Sequence, residues 1–224
     1  SSGSSEVAVL SLSGMFTLLT KYGMGDPEAL SSCGEYYSQL YSLIRPETFN
    51  LAKRARFQRL TAASLSSGLL PARFAAAFAK RCMSTAVSCT EPGTVMWLMA
   101  VAYSLIQRHH SICRHLLHKG DAGGNVEATI ADNLQAASQT ATNTSLWEVK
   151  LLLHHHVPAV ALVARLFLKP FFKPSAKKLD PDVFLEQHPE RLYEQALKSS
   201  KRQAAKLKAR GERVPVNFKV EDDG

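Results

Sequence analysis

Two groups of histidines have the side-chain chemistry of transition-metal ligands. One is the consecutive run at residues 154–156, and the other comprises His109, His110, His115 and His118. Consecutive helical residues point about 100° apart, so the run cannot converge on one ion. A paired helical site such as HExxH needs ligands four residues apart, and neither group has that spacing. We therefore predict no metal and no cofactor, and interpret these histidines as helix-end residues that complement the helix dipole.

The motifs of nucleophilic catalysis and of phosphate binding are missing from the sequence. It contains no GxSxG, no GxxxxGK[ST] and no GxGxxG. No cysteine is marked as a nucleophile by its neighbours. The sequence predicts a protein that is not an enzyme. A metal-dependent enzyme built on the histidines is a third hypothesis, which elemental analysis of the purified protein would test.

The chain is basic, with a net charge of +8 and a pI near 9.4. Such an excess favours an acidic partner: nucleic acid, an acidic protein segment or an anionic membrane. The excess of positive charge is concentrated at residues 191–213. Possible contacts to RNA or to an acidic partner are Lys80, Arg81, Lys201, Arg202, Lys206, Lys208 and Arg210. Solvated helix faces explain the same residues, and the sequence leaves both interpretations open.

The elements that would position these side chains are helices separated by short breakers. The predicted helices are 7–22, 36–44, 52–66, 71–87, 95–107, 112–118 and 158–169, with further starts at Asp180-Pro181 and Pro189. Helix 95–107 is apolar all round, which predicts a central, enclosed position. Residues 26–34 and 119–144 are predicted loops, the second with a weak helix at 126–137. The fold is predicted to be all-α, either an α-solenoid of HEAT or armadillo type or an irregular helical bundle.

The run at residues 145–158 contains a helix start, an apolar helix, a stop and a new start. Ser145 and Glu148 have the spacing of a capping box, in which each side chain satisfies the other residue's backbone N–H. Trp147 is predicted to be core. Pro158 suits the first turn of a following helix.

The chain length allows one large domain or two small ones. We predict a flexible lead-in or a remnant of cloning at 1–5 and a helical domain at 6–188. A basic helical tail with an acidic end follows at 189–224. The four cysteines form no CxxC pair and are predicted to be buried free thiols. No apolar stretch approaches the twenty residues of a membrane span.

Several ordered motifs resemble the C-terminal half of the nucleolar complex protein 4 family, within the CCAAT-binding-factor domain group. They include residues 37–43, 76–81 and 97–109, and the most specific is Ser-Leu-Trp-Glu-Val at 145–149, followed by His155 and Pro158. Ser145, Trp147, Glu148, His155 and Pro158 are thus a structural signature. His156 departs from the family, which usually has a tyrosine there.

This resemblance implies a non-catalytic helical scaffold of ribosome biogenesis in the nucleolus. It implies a heterodimer with a dedicated nucleolar assembly factor, and a role in maturing and exporting the small-subunit precursor particle. The alternative is a direct RNA-binding module that uses the basic C-terminal helix, because lysine and arginine contacts to phosphates give sequence-independent affinity.

Overall fold

The computed structural model describes residues 2–22, 27–50, 54–118, 132–141, 144–169, 179–185 and 187–210. Within these ranges every regular element is a helix. The α-helices are α1 (Ser2–Tyr22), α2 (Pro27–Leu43), α3 (Pro46–Phe49), α4 (Arg54–Ser66), α5 (Ala72–Ser88), α6 (Pro92–Arg108), α7 (His110–His118), α8 (Leu134–Ala141), α9 (Glu148–Leu153), α10 (Pro158–Ala164) and α11 (Pro189–Ala209). Two 3₁₀-helices lie at Arg165–Leu168 and Pro181–Phe184. The all-α prediction is confirmed.

Helices α5 and α6 form the centre of the molecule. Alanine, the strongest helix former, recurs in α5, and its small buried side chains let α6 approach closely. Every residue of α6 from Gly93 to Ile106 is buried except Ser104, which is partly exposed. The prediction of a central, enclosed helix is confirmed.

The packing around α5 favours the bundle over the solenoid. α5 contacts α3, α6, α7, α8 and α9, and α8 also contacts α2. In a solenoid each repeat touches only its neighbours along the chain. The helices around α5 come from distant parts of the sequence, so an irregular bundle describes this region better.

A row of aromatic rings joins α1, α2 and α5. Phe16 stacks on Tyr36, whose ring meets Tyr37 edge-on, and both Tyr37 and Tyr41 contact Phe78 with centroids 6.1 and 5.4 Å away. The Tyr37 hydroxyl donates to the carbonyl oxygen of Ser64 in α4. A buried phenol needs such a hydrogen-bond partner. Burial also raises the pKa of the neighbouring Tyr36 to about 12. The row fixes α2 against both α4 and α5.

Several predicted loops are helical. Residues 2–5, expected in a flexible lead-in, form the start of α1, because extending an existing helix adds a hydrogen bond for each residue ordered. Most of the predicted loop 26–34 belongs to α2, which runs through Gly34. A single glycine weakens a helix without ending it.

The prediction of a loop at 119–144 is wrong for residues 134–141, which form a helix. α8 occupies Leu134–Ala141 and buries Leu134, Ala137 and Ala141, so it overlaps the last four residues of the weak helix predicted at 126–137 and extends beyond it. Its buried face is mostly alanine, which gives little apolar periodicity. Residues 119–131 and the acidic end at 211–224 lie outside the described residues.

Candidate interaction site

The structural signature does not form the capping box that its spacing predicts. α9 starts at Glu148, its N-cap is Trp147, and no side chain accepts a capping hydrogen bond. The Glu148 side chain instead points into the protein and is fully buried. The capping-box prediction is wrong because a more distant partner, on α5, competes for the carboxylate.

That partner is Lys80, which forms a buried ion pair with Glu148. The Lys80 Nζ lies 2.8 Å from Oε1 and 2.9 Å from Oε2 of Glu148. It also donates to the carbonyl oxygen of Ser145 at 2.6 Å, and lies 5.5 Å from the ring centroid of Trp147. The hydroxyl of Ser84 donates to Glu148 Oε1 at 2.6 Å. Both charges are therefore compensated, as buried charges must be.

The ion pair changes the interpretation of two predicted contact residues. Lys80 is 2% exposed, so its predicted contact with RNA or an acidic partner is wrong. Burial lowers the pKa of Lys80, and the carboxylate of Glu148 opposes that shift. Arg81 also binds internally: Nε donates to the carbonyl oxygen of Ile44, and Nη2 donates to Asp132. These two basic residues hold the bundle together.

The end of the signature makes the turn from α9 to α10. The Nδ1 of His155 accepts a hydrogen bond from the backbone N–H of Val157 at 3.1 Å, and Pro158 is the first residue of α10. The helix start at Pro158 is confirmed. Trp147, predicted to be core, is only partly buried and has the Lys80 ammonium near its ring. The signature thus binds α5 to α9 and then redirects the chain.

We predict that the turn weakens in mild acid. Burial, and then the neighbouring His156, lower the pKa of His155 below 6.5. In the unfolded chain its pKa is ordinary, so the stability due to neutral His155 is present above about pH 6.5 and is lost as the pH falls through the folded pKa. His155→Asn keeps an oxygen that can accept from the N–H two residues on. The free energy of unfolding should therefore fall less between pH 7.5 and 5.5 in this variant than in the wild type. Equal falls would contradict the role of His155.

Beside this turn lies an open groove of about 580 Å³, between the start of α6, the α9–α10 turn and the start of α11. We call it the α11 groove, and its lining includes Pro92, His156, Pro158, Leu192 and Tyr193. Leu192 is buried at its floor, whereas Tyr193 is 70% exposed. Its carboxylate, Glu91, is occupied by an ion pair with Arg54 and a hydrogen bond from Thr94. The groove is therefore largely apolar, with an aromatic residue at its mouth.

Gly93 sets the position of α11. A Cβ at this residue would overlap the backbone carbonyl oxygen of Gln187, just ahead of α11. Only glycine allows the start of α6 to approach that backbone so closely. The glycine therefore holds one wall of the α11 groove against the other.

Gly93→Ala should destabilise the chain by about 1–3 kcal/mol, as overpacking at a rigid contact does. Chemical denaturation measures the loss, and hydrogen exchange at Leu192 should rise because the start of α11 is displaced. Gly14→Ala is the matched control: nothing lies within 4 Å of its new Cβ. It should stabilise α1 by about 0.5–1 kcal/mol. An unchanged or higher stability in Gly93→Ala would show that Gln187 yields freely.

The remaining predicted contact residues lie on α11, apart from Arg210, which directly follows it. Lys201, Arg202, Lys206 and Arg210 are exposed, and the Lys208 side chain lies outside the described residues. The predicted helix start at Pro189 is confirmed. α11 contacts α10, and Leu192 belongs to the core. The structure brings none of these cations to Lys80 or Arg81, and their contact with RNA stays a prediction.

The histidines, carboxylates and cysteines are the remaining candidates for chemistry among the described residues. In that part of the chain no three His, Cys, Asp or Glu side chains are placed to hold a metal ion. The four cysteines are free, three of them buried, and burial raises the pKa of Cys82 to about 12. Across the same ranges, none of the helices combines the length and apolarity needed to cross a membrane.

Comparison with known proteins places this arrangement in a family. Residues 8–164, which run from α1 to the end of α10, match the model of the CBF/Mak21 family. The chain belongs to the CBF/Mak21 family. The match includes the Lys80–Glu148 pair and the α9–α10 turn, and α11 lies beyond it.

Several curated relatives carry the name nucleolar complex protein 4 homolog. The chain is 32% identical to nucleolar complex protein 4 homolog A of Xenopus laevis over 87% of its length, which is 35% of that relative. It is 30% identical to nucleolar complex protein 4 homolog of Danio rerio over 97% of its length and 38% of that relative. It is 33% identical to the Homo sapiens homolog over 70% of its length and 29% of that relative. The chain thus spans about a third of the relatives' length.

The resemblance to the nucleolar complex protein 4 family is confirmed by these matches. The relatives' names confirm the predicted nucleolar location. Together with membership of the CBF/Mak21 family, they agree with a factor of ribosome biogenesis.

Sequence reasoning missed Ser84 and Tyr193. Ser84 has no local signal, because its partner is 64 residues away. Tyr193 did carry one: it is an aromatic residue on a strongly charged helix, and such side chains are enriched at protein interfaces.

Proposed function

We propose that this chain is the helical part of a nucleolar ribosome-biogenesis factor that docks a dedicated partner protein. The two form a heterodimer during assembly and export of the small-subunit precursor particle. The chain acts as a scaffold and not as an enzyme. The family match and the relatives' names support the setting.

The observation that carries the docking role is the contrast between the family signature and α11. The conspicuous charged cluster of the signature is enclosed, with Lys80 2% and Glu148 0% exposed, so no substrate or partner reaches it. The Lys80–Glu148 pair holds α9 on α5, and so fixes the α9–α10 turn that forms one wall of the α11 groove. The adjoining helix, α11, has all of its described lysine and arginine side chains exposed to solvent. A rigid helical body beside a solvent-exposed basic helix is the arrangement expected of a docking scaffold.

Affinity purification of the tagged protein with chemical cross-linking tests this proposal. We expect small-subunit assembly factors and precursor RNA in the purified material, and one recurring protein neighbour among the cross-links. Recovery of neither assembly factors nor precursor RNA would overturn the proposal.

A further inference from the structure

α11 extends well beyond its anchor. Leu192 is buried, but none of the described side chains from Tyr193 to Arg210 is. At 1.5 Å per residue, these residues cover about 26 Å. The sequence from 195 to 210 contains six lysines and arginines and no carboxylate. This end of the helix is therefore strongly cationic and open to solvent.

A stripe of apolar and small residues runs along the same helix. Leu197, Ser200, Ala204 and Leu207 are spaced by three, four and three residues, so they share one face, and each is partly exposed. At 100° per residue the middle of the stripe points in the direction of Tyr193, which lines the α11 groove. We call these four residues the α11 stripe. It leads out of the groove toward the helix end.

The cations are arranged around this stripe in two sets. At 100° per residue, Lys201 and Arg210 lie about 80° and about 100° to either side of the middle of the stripe, whereas Arg202 and Lys206 lie about 180° and about 140° from it. Arg210 follows the last residue of α11, and its backbone N–H still donates to the carbonyl oxygen of Lys206. The first pair is placed to meet charges beside an apolar contact. Arg202 and Lys206 point away from the stripe and are not placed to meet such charges.

An amphipathic helix of this length is normally stabilised by packing its apolar face, because intrinsic propensity alone is marginal. α11 packs its first turns on α10 and leaves the stripe exposed. The stripe therefore has the character of an interface whose second half is another molecule.

We propose that the α11 stripe docks an acidic amphipathic helix of the partner protein, with one end of that helix against Tyr193 in the α11 groove. Its apolar residues cover Leu197 and Leu207, and its carboxylates pair with Lys201 and Arg210. The inference rests on the proposed docking function and names its surface and its chemistry.

The stripe favours a protein occupant over RNA. Phosphate binding needs cations alone, and they need not be sorted around an apolar face. Single-stranded RNA also stacks successive bases on aromatic side chains, and α11 has only one such residue, Tyr193 at its start. A helix with complementary charge uses both the stripe and its bordering cations.

Photo-cross-linking tests the proposal on the whole protein in purified precursor particles. A photoreactive residue replaces Ser200, and three double variants are compared in that background: Leu197→Gln with Leu207→Gln, Lys201→Gln with Arg210→Gln, and Arg202→Gln with Lys206→Gln. Glutamine keeps the helix propensity of leucine, lysine and arginine, so α11 stays helical. The last two variants remove the same residue types and the same charge.

We expect cross-links to one protein segment that is rich in Asp and Glu and has apolar residues at helical spacing. The yield should fall about tenfold in the stripe and bordering variants and stay unchanged in the opposite-face variant, as expected for central interface residues. Cross-links to RNA, lost equally in the two charge variants and kept in the leucine variant, would overturn the proposal. Particles with assembly factors but no cross-link at Ser200 would overturn it too, while leaving the proposed function intact. If purification recovers no assembly factor, the proposed function itself fails.

Discussion

Glu148→Gln should cost about 3–5 kcal/mol of unfolding free energy, a large effect for a substitution that keeps the shape of the side chain. Glutamine has nearly the same shape, so the loss is electrostatic: the ammonium of Lys80 stays 2% exposed and loses its counter-charge. The Ser145 carbonyl and the Trp147 ring remain beside it but cannot replace a carboxylate. Chemical denaturation of the purified chain measures the loss.

The pH dependence separates this explanation from a packing defect. Glu148 raises the pKa of Lys80, so its removal lowers that pKa further below the unfolded value of 10.5. The unfolded state then binds more protons than the folded state over a wider alkaline range, and stability rises with pH there. The deficit of Glu148→Gln should therefore be smaller at pH 9 than at pH 7. A deficit that does not change with pH would contradict an unpaired Lys80.

Replacing both partners is the control for the ion pair. In Lys80→Met with Glu148→Leu no charge remains buried, and such exchanges are often neutral or stabilising. The double variant should recover most of the stability lost by Glu148→Gln. Ser84 then lacks its acceptor, but it is partly exposed and can bond to water.

Trp97→Ala should cost about 3–5 kcal/mol, because it opens a cavity at the centre of the bundle. Trp97 is fully buried in α6, and its ring lies 5.8 Å from that of Phe49 in α3. The indole N–H has no hydrogen-bond partner among the described residues. Truncation thus loses packing area and no hydrogen bond within those residues. Thermal and chemical unfolding measure the effect.

Two further variants serve as comparisons for Trp97→Ala. Trp97→Phe keeps most of the ring and removes a donor that has no described partner, so it should cost much less than Trp97→Ala. Trp147→Ala should also cost less, since Trp147 is only partly buried. Equal losses in Trp97→Ala and Trp147→Ala would show that α6 is not the centre of the core.

The sequence predicts best where a local signal decides the structure. The apolar circumference of α6 needs no partner to be recognised, and it predicts an enclosed helix correctly. Proline and aspartate signals place the starts at Pro158, Pro181 and Pro189 correctly, because fixed φ angles and side-chain caps act within a few residues. At Asp180 the cap is formed as predicted, with Oδ1 accepting from the N–H of Asp182.

Prediction from the sequence fails where a distant residue competes with a local partner. Ser145 and Glu148 fit a capping box, yet Glu148 pairs with Lys80, 68 residues away. Lys80 and Arg81 are adjacent and look alike as surface cations, but each reaches a different internal acceptor. α8 is predicted only in part, because alanines against α5 leave too weak an apolar period. In each case a tertiary contact, and not the local sequence, determines the structure.

The separation of Lys80 from Glu148 along the chain also has a consequence for synthesis. At 5–20 residues per second, Glu148 follows Lys80 by about 3–14 s. During that interval α5 carries a cation with no counter-charge and cannot be enclosed at its α9 side. The bundle can therefore close only after the signature has emerged, and a nascent chain stopped before Glu148 keeps an open face that is a natural target for chaperones.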